Sequence, residues 1–185
     1  MKVLKILDLG CGNNKYKSNG KNEVIGLDIV EVPGVNIIHD LNETPYPFDD
    51  NYFHIIIVNH VLEHIQNFFA MMGEIYRILK PNGILRVRVP HFSSINAYAD
   101  PTHVRFFALK TFKYLSENHK LSYYYNTKKK INFKIISIKF NPENTTFNKM
   151  VISLANLHPH FYERYISRFI SSIEMEVILQ KMSMV

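Results

Sequence analysis

Apolar positions fall into four short, dense runs at Val3–Leu9, Glu23–Asp28, Phe53–Asn59 and Ile84–Val89. Runs of this kind predict strands buried on both faces, as the strands of a parallel sheet usually are. Between the last two, Phe68, Met71, Met72, Ile75, Ile78 and Leu79 recur at helical spacing, and Pro81-Asn82-Gly83 is a stop signal. Strand, helix and strand make a βαβ unit. Val35–His39 reads as a further short strand. The linkers around the second run are the unusual part. Leu9 to Glu23 has room for at most a short helix and Ile29–Gly34 for none, whereas a crossover helix needs about a dozen residues. After Val89 the pattern changes to a polar-aromatic loop, His91–Arg105, followed by a helix near Ala108–Asn118. Two more strands are expected at Phe133–Phe140 and Ile173–Lys181, with a helical stretch, Met150–Ile170, between them. A chain of 185 residues that is 46% hydrophobic is long enough for a single domain, residues 1–185, and short for two.

The first run leads directly into Asp8-Leu9-Gly10-Cys11-Gly12-Asn13-Asn14. A buried strand ending in a glycine turn lets backbone N–H groups approach a ligand closely, which is how nucleotides are cradled. The second run ends in Asp28, about where an acid meets ribose hydroxyls in dinucleotide folds. Lys15 stands where the dinucleotide fingerprint needs its third glycine, so NAD is disfavoured.

The turn Asp8–Gly12 and the acid Asp28 resemble the first two motifs of class I S-adenosylmethionine-dependent methyltransferases. Further segments resemble that family in its order: Asp40-Leu41, Pro47–Phe53, Asn59–His64 and Leu79–Gly83. The likeness spans roughly residues 3 to 90 and is greatest to the small quinone-biosynthesis type (type 11). It implies a Rossmann-like α/β fold with a mostly parallel seven-stranded sheet and an antiparallel last strand. The short linkers predict that the helices after strands 1 and 2 are trimmed. The cofactor implied is S-adenosyl-L-methionine, held by Asp8, Gly10, Cys11, Gly12, Asp28, Ile29, Asp40, Leu41, Asn59 and His60. Asp28 would accept hydrogen bonds from the ribose hydroxyls, Asp40 would meet the adenine amino group, and Leu41 would lie against the ring. A turn-forming Asp28 and an exposed loop Asp40 are the plainer readings. Two positions depart from the family pattern: Asn14, in place of a small residue, and His54, where an aspartate usually follows the phenylalanine.

Methyl transfer from a sulfonium is an in-line displacement, so the protein mainly aligns two reactants and excludes water. Asn59-His60-Val61-Leu62-Glu63-His64 lacks the Asn/Asp-Pro-Pro-aromatic signature of many amino-group methyltransferases, and Cys11 lies within the cofactor turn. Oxygen acceptors are therefore favoured, and a histidine is the commonest base for them. His91 and His103 are the candidate catalytic residues, and His64, Asp100 and Arg105 the candidate acceptor-binding ones. An ordinary loop histidine and a surface ion pair are the alternatives. His91, Asp100 and His103 could be read as metal ligands, but their spacing matches no metal motif and no metal is assigned.

Cys11 is the only cysteine, so no internal disulfide forms, and a reducing, cytoplasmic setting is expected. No stretch approaches the roughly 20 apolar residues of a membrane span. The net charge of +6 raises anionic partners. The excess clusters late, at Lys110, Lys113, Lys120, Lys128, Lys129, Lys130, Lys134, Lys139 and Lys149, near Tyr123, Tyr124 and Tyr125. A small-molecule acceptor is the leading partner. An RNA substrate on this lysine face, weak peripheral membrane contact through Leu154–Ile170, and a noncatalytic cofactor-binding module are the alternatives.

Overall fold

The computed structural model describes residues 3–116, 131–142, 146–172 and 174–183. Seven strands form one sheet: β1 (Leu4–Leu9), β2 (Asn22–Asp28), β3 (Ile37–Ile38), β4 (Phe53–Asn59), β5 (Leu79–Pro90), β6 (Phe133–Asn141) and β7 (Glu174–Lys181), in the order β3-β2-β1-β4-β5-β7-β6. Pairing from β3 through β5 is parallel, and β7 runs antiparallel to both β5 and β6. The expected mostly parallel sheet with an antiparallel last strand is therefore present.

The one long crossover helix before the sheet reverses direction is α1 (Phe68–Ile78), between β4 and β5. Asn67 caps it by accepting the Ala70 N–H. The helix ends at Ile78, three residues before Pro81: Leu79 is already extended, and Lys80, as the residue preceding a proline, disfavours helical backbone. That early stop lets Leu79 pair with Phe53 across a bulge, so β5 begins five residues before the predicted run. Among the described residues no helix follows β1 or β2, as the linker lengths predict. β3 is reduced to two residues because Pro33-Gly34 turns the chain just before it.

The later elements differ more. In place of a helix near Ala108–Asn118 there is a 3-10 turn, Thr111–Leu115; residues 117 and 118 lie outside the described residues. A short helix, α2 (Asn96–Ala99), sits inside the loop after β5. The stretch Met150–Ile170 divides into α3 (Thr146–Ala155) and a turn Pro159–Phe161 that continues as a π-turn, Tyr162–Ile166. Pro159 accounts for the break. Lys134 and Lys139 are exposed on the edge strand β6, while Lys120, Lys128–Lys130 and Tyr123–Tyr125 lie outside the described residues.

Consecutive strand residues point to opposite faces, and the two faces differ. On one face Leu7, Leu9, Leu27, Ile56, Val58, Leu85 and Val87 join Met72, Ile75, Phe112 and Leu115 in the main core. On the other face only Ile6, Val24 and Ile57, with Ile55 beside them, form a small cluster. Farther along that face Arg86 and Arg88 pair with Glu174 and Glu176 of β7 at 3.2–3.5 Å. The expectation that every strand is buried on both faces thus fails for β5, whose outer face is charged.

Lys181, at the end of β7, ties the sheet to the end of α1. Its buried ammonium donates to Tyr76 O and Leu79 O at 2.7 Å and to Asn51 Oδ1 at 2.8 Å. Three donors meet three acceptors, and two of those acceptors are carbonyls at the negative end of the helix.

Candidate active site

The parallel strands end along one edge of the sheet, and their tips build the site. At the end of β1 the chain turns back toward β2, and the N–H groups of Gly10 and Cys11 both donate to Leu27 O. Gly10 has φ +65°, and a Cβ there would stand 2.3 Å from Val61 Cγ2. Gly12 has φ +48° and open space where its Cβ would be. Gly10 therefore serves close packing against the loop after β4, while Gly12 leaves room for a ligand. The Gly12 N–H donates to Asp28 Oδ2 at 2.8 Å, and the Val30 N–H donates to Asp28 Oδ1 at 3.0 Å. Each carboxylate oxygen keeps a second lone pair, enough for two vicinal hydroxyls.

Asp8 plays a different part. It is buried on the outer face and accepts the Tyr16 N–H at 3.0 Å, which pins the loop that stands in for the first helix. Burial raises its pKa, against the lowering influence of that bond and of Lys15. Cys11 is buried over Gly26, whose Cβ would lie 2.7 Å from its sulfur. Burial and the nearby Asp8 and Asp28 push the thiol pKa up, so the thiolate form that reacts is disfavoured. Ile29 is exposed and Leu41 buried. Asp40 Oδ1 accepts from both the backbone and side-chain N–H of Asn42, and Asn42 Oδ1 in turn accepts the Gln66 N–H at 3.0 Å. This chain of bonds joins the segment after β3 to the loop after β4.

Past β4, Asn59 is partly buried, and His60 adopts φ +52° with its N–H bonded to Arg88 O. The His60 ring contacts Glu174 at 2.9 Å and Glu63 at 3.4 Å. Hydrogen bonds to Glu174 and then Glu63 raise its pKa to about 9, so at neutral pH it is a cation. The 3-10 turn Leu62–His64 comes next, and the loop after β5 folds down onto it. The Val104 N–H donates to Glu63 O, and Arg105 donates to Ile65 O and Gln66 O. Between turn and loop lies a cleft of about 570 Å³ lined by residues that include His60, Glu63, His64, Asp100 and His103.

Part of the chain and its whole fold resemble known proteins. Residues 7–87 match the methyltransferase domain family. That segment is 81 of the 185 residues and runs from β1 into β5. A S-adenosylmethionine-dependent methyltransferase from Archaeoglobus fulgidus superposes with a TM-score of 0.64 at 22% identity, covering 97% of this chain and 86% of that one. One from Mesorhizobium loti gives 0.55 at 14% identity, covering 97% and 91%. The [4+2]-cyclase SpnF gives 0.62 at 17% identity, covering 98% and 76%. No curated protein matches the chain.

Beside Asp8, Cys11, Ile29, Asn59 and His60, placed above, the other residues expected at the site divide into three groups. Gly10, Gly12, Asp28, Asp40 and Leu41 converge at the sheet edge, and the open Gly12 beside a twofold-acceptor Asp28 fits the ribose end of S-adenosylmethionine. His64, Asp100 and His103 meet in the cleft. His91 and Arg105 are placed elsewhere. His91 is fully buried, packed on Phe92 and Phe140, with Nδ1 bonded to Ser93 Oγ at 2.8 Å and Nε2 facing Glu163 at 3.3 Å. It anchors the start of the loop and does not face the cleft. Arg105 uses its guanidinium on two backbone carbonyls and on the Phe68 ring, 5.2 Å away. Glu63, Thr102 and Glu163 received no role from the sequence. Of these only Glu63 carried a signal, as a carboxylate one residue before His64.

Proposed function

We propose that this methyltransferase transfers the methyl group of S-adenosylmethionine to an oxygen of a small molecule bound in the cleft between the Leu62–His64 turn and the loop after β5. The observation that carries this reading is the juxtaposition of two parts: a glycine turn with Asp28 at the strand tips, and beside it a cleft whose polar lining is mostly imidazole and carboxylate. The donor contributes the reactive methyl, carried on a sulfonium.

The chain's own residues do the rest. Gly12 leaves space for the donor and Asp28 accepts its ribose hydroxyls. The loop strapped down by Val104 and Arg105 limits water at the reacting atoms. His64, His103 and Glu63 form the corner at which an acceptor hydroxyl is oriented and made nucleophilic. His91, proposed from the sequence as a base, instead holds the start of the loop through Ser93 and Glu163.

Calorimetry with S-adenosylmethionine, its demethylated product and NAD tests the donor side. Wild type is expected to bind both adenosyl compounds and not NAD, and Asp28→Ala to lose that binding. Unchanged donor affinity in Asp28→Ala would overturn the assignment of that residue. A screen of candidate acceptors with radiolabelled methyl groups tests the rest, and label recovered on nitrogen would overturn the oxygen reading.

A further inference from the structure

Glu63, His64 and His103 come together in the cleft from two separate segments. One ligating atom from each lies within 4.8 Å of the others, and among the described residues this is the group of histidine, cysteine and acidic side chains that gathers so closely. The rings of His64 and His103 meet edge-on, 4.7 Å apart.

The hydrogen bonds around the rings decide which nitrogen carries the proton. His103 Nδ1 lies 3.1 Å from Ala97 O. A carbonyl only accepts, so Nδ1 holds the hydrogen and Nε2 the lone pair. His64 Nδ1 lies 2.9 Å from Thr102 Oγ1, and that hydroxyl donates its own hydrogen to Asp100 Oδ1 at 2.6 Å. With its hydrogen spent there, Thr102 Oγ1 accepts from His64, so Nε2 of His64 also bears a lone pair. Both rings are thus held by the outer partners, carbonyl and hydroxyl-to-carboxylate, that orient imidazoles for metal binding.

A further observation is independent of the histidines. Glu63 is 1% exposed, and its Oε2 is buried without a hydrogen-bond partner. Its other oxygen faces His60 Nδ1 at 3.4 Å. An unpaired buried carboxylate oxygen is costly and needs an explanation, and a cation at this corner supplies one.

We infer that Glu63, His64 and His103 bind a divalent transition-metal ion. Two imidazole nitrogens and one carboxylate oxygen suit zinc, cobalt or iron(II) better than magnesium or calcium, which prefer all-oxygen shells. Metal–ligand distances of about 2.0–2.2 Å require the three groups to close up slightly from their present separation. Three protein ligands leave coordination positions open toward the cleft. The sequence assigned no metal, and this group differs from His91, Asp100 and His103, the set weighed there: His91 is turned away, Asp100 instead accepts from Thr102, and Glu63 and His64 join His103. It deepens the methyl-transfer reading at the same corner, where the ion in place of a free imidazole would polarise an acceptor hydroxyl, while its test needs neither donor nor acceptor.

The test uses the full chain without an affinity tag, stripped with chelator and titrated with cobalt(II) chloride under visible absorption, followed by zinc chloride. One equivalent of cobalt with intense ligand-field bands, displaced by zinc, is expected. Loss of an outer partner costs metal sites roughly 10–100-fold in affinity, so Thr102→Val is expected to fall in that range and H64A/H103A to exceed it. His158→Ala, on an exposed turn remote in sequence from the cluster, should leave the titration unchanged. Absence of bands in wild type overturns the proposal, as does an affinity unchanged in H64A/H103A. Circular dichroism melts establish that the variants are folded. If the double variant is not, Thr102→Val decides alone, and unchanged affinity there overturns the proposal. A protein that binds cobalt but no S-adenosylmethionine would refute the donor reading and leave the metal site standing.

Discussion

The two turn glycines should respond differently to the same substitution. Gly10→Ala places a Cβ at φ +65°, where an L-residue pays roughly 1–2 kcal/mol, and drives it to 2.3 Å from Val61 Cγ2. Val61 is itself buried and sits between β4 and the 3-10 turn, so relief requires backbone movement. Overpacking of that kind costs about 1–3 kcal/mol. The total is about 2–5 kcal/mol, a large share of the roughly 5–15 kcal/mol that holds an ordinary domain. Gly12→Ala pays only the backbone penalty, about 1–2 kcal/mol, because nothing lies within 4 Å of its added carbon. Its expected effect is on the ligand instead: a Cβ occupies the space the donor uses and disturbs the N–H that holds Asp28. Urea unfolding followed by circular dichroism measures the first effect. With a slope of about 2 kcal/mol per molar, Gly10→Ala should unfold at least about 1 M earlier than wild type. Calorimetry with S-adenosylmethionine measures the second effect. Gly10→Ala with a wild-type midpoint would refute the packing argument, and Gly12→Ala with wild-type donor affinity would refute the claim that its open side faces the donor.

Lys181→Met keeps the length of the side chain but leaves Tyr76 O, Leu79 O and Asn51 Oδ1 without their shared donor. A loss of about 2–4 kcal/mol is expected, read as a lower urea midpoint; a loss below about 1 kcal/mol would mean that water replaces the ammonium. Glu163 gives a pH dependence. Burial raises its pKa, but bonds from His91 and the Leu109 N–H outweigh this and leave it below the ordinary carboxylate value. A depressed folded pKa means that the stabilisation is fully present above the unfolded value, near 4.5, and is lost as pH falls through the lower folded value. Glu163→Gln should therefore flatten the acid limb of a melting-temperature profile while leaving the slope above neutrality unchanged. An acid limb as steep as wild type would assign the effect to other carboxylates.

Much of the strand-tip geometry was legible because its determinants are local. A strand ending in Gly-Cys-Gly turns where it does whatever surrounds it, and Asp28 ends the neighbouring strand in parallel register, so the two meet at one edge. The missing helices were legible for the same reason, since chain length alone forbids them. The acceptor side depends on contacts distant in sequence. His91 follows β5 directly, yet its ring turns inward because Glu163, 72 residues later, waits there with Ser93. Arg105, a candidate for binding the acceptor, is instead a strap, because the carbonyls of Ile65 and Gln66 lie within its reach. His54, out of place as a family residue, accepts the Lys5 N–H on Nδ1 at 3.0 Å and so caps the sheet's entry edge.

The trimmed architecture also explains why side chains carry so much of the positioning. In a fully wound fold, the helix after β1 orients its ligand-binding turn and covers the outer face of the sheet. Here a loop does both, and each of its anchors can be named: Asp8 holds Tyr16, Leu27 O holds Gly10 and Cys11, and Gly26 lets Cys11 and Lys15 lie flat on β2. A Cβ at Gly26 would stand 2.5 Å from Lys15 Cδ and 3.1 Å from Gly34 O. The lysine can move away, but the backbone carbonyl cannot do so without shifting the chain that leads into β3. These three glycines thus divide the labour of the absent helices: Gly26 seats the loop, Gly10 locks it to the Val61 segment, and Gly12 keeps open space beside Asp28. Replacing the first two should cost stability and the third binding, a division that would disappear if a helix carried the turn.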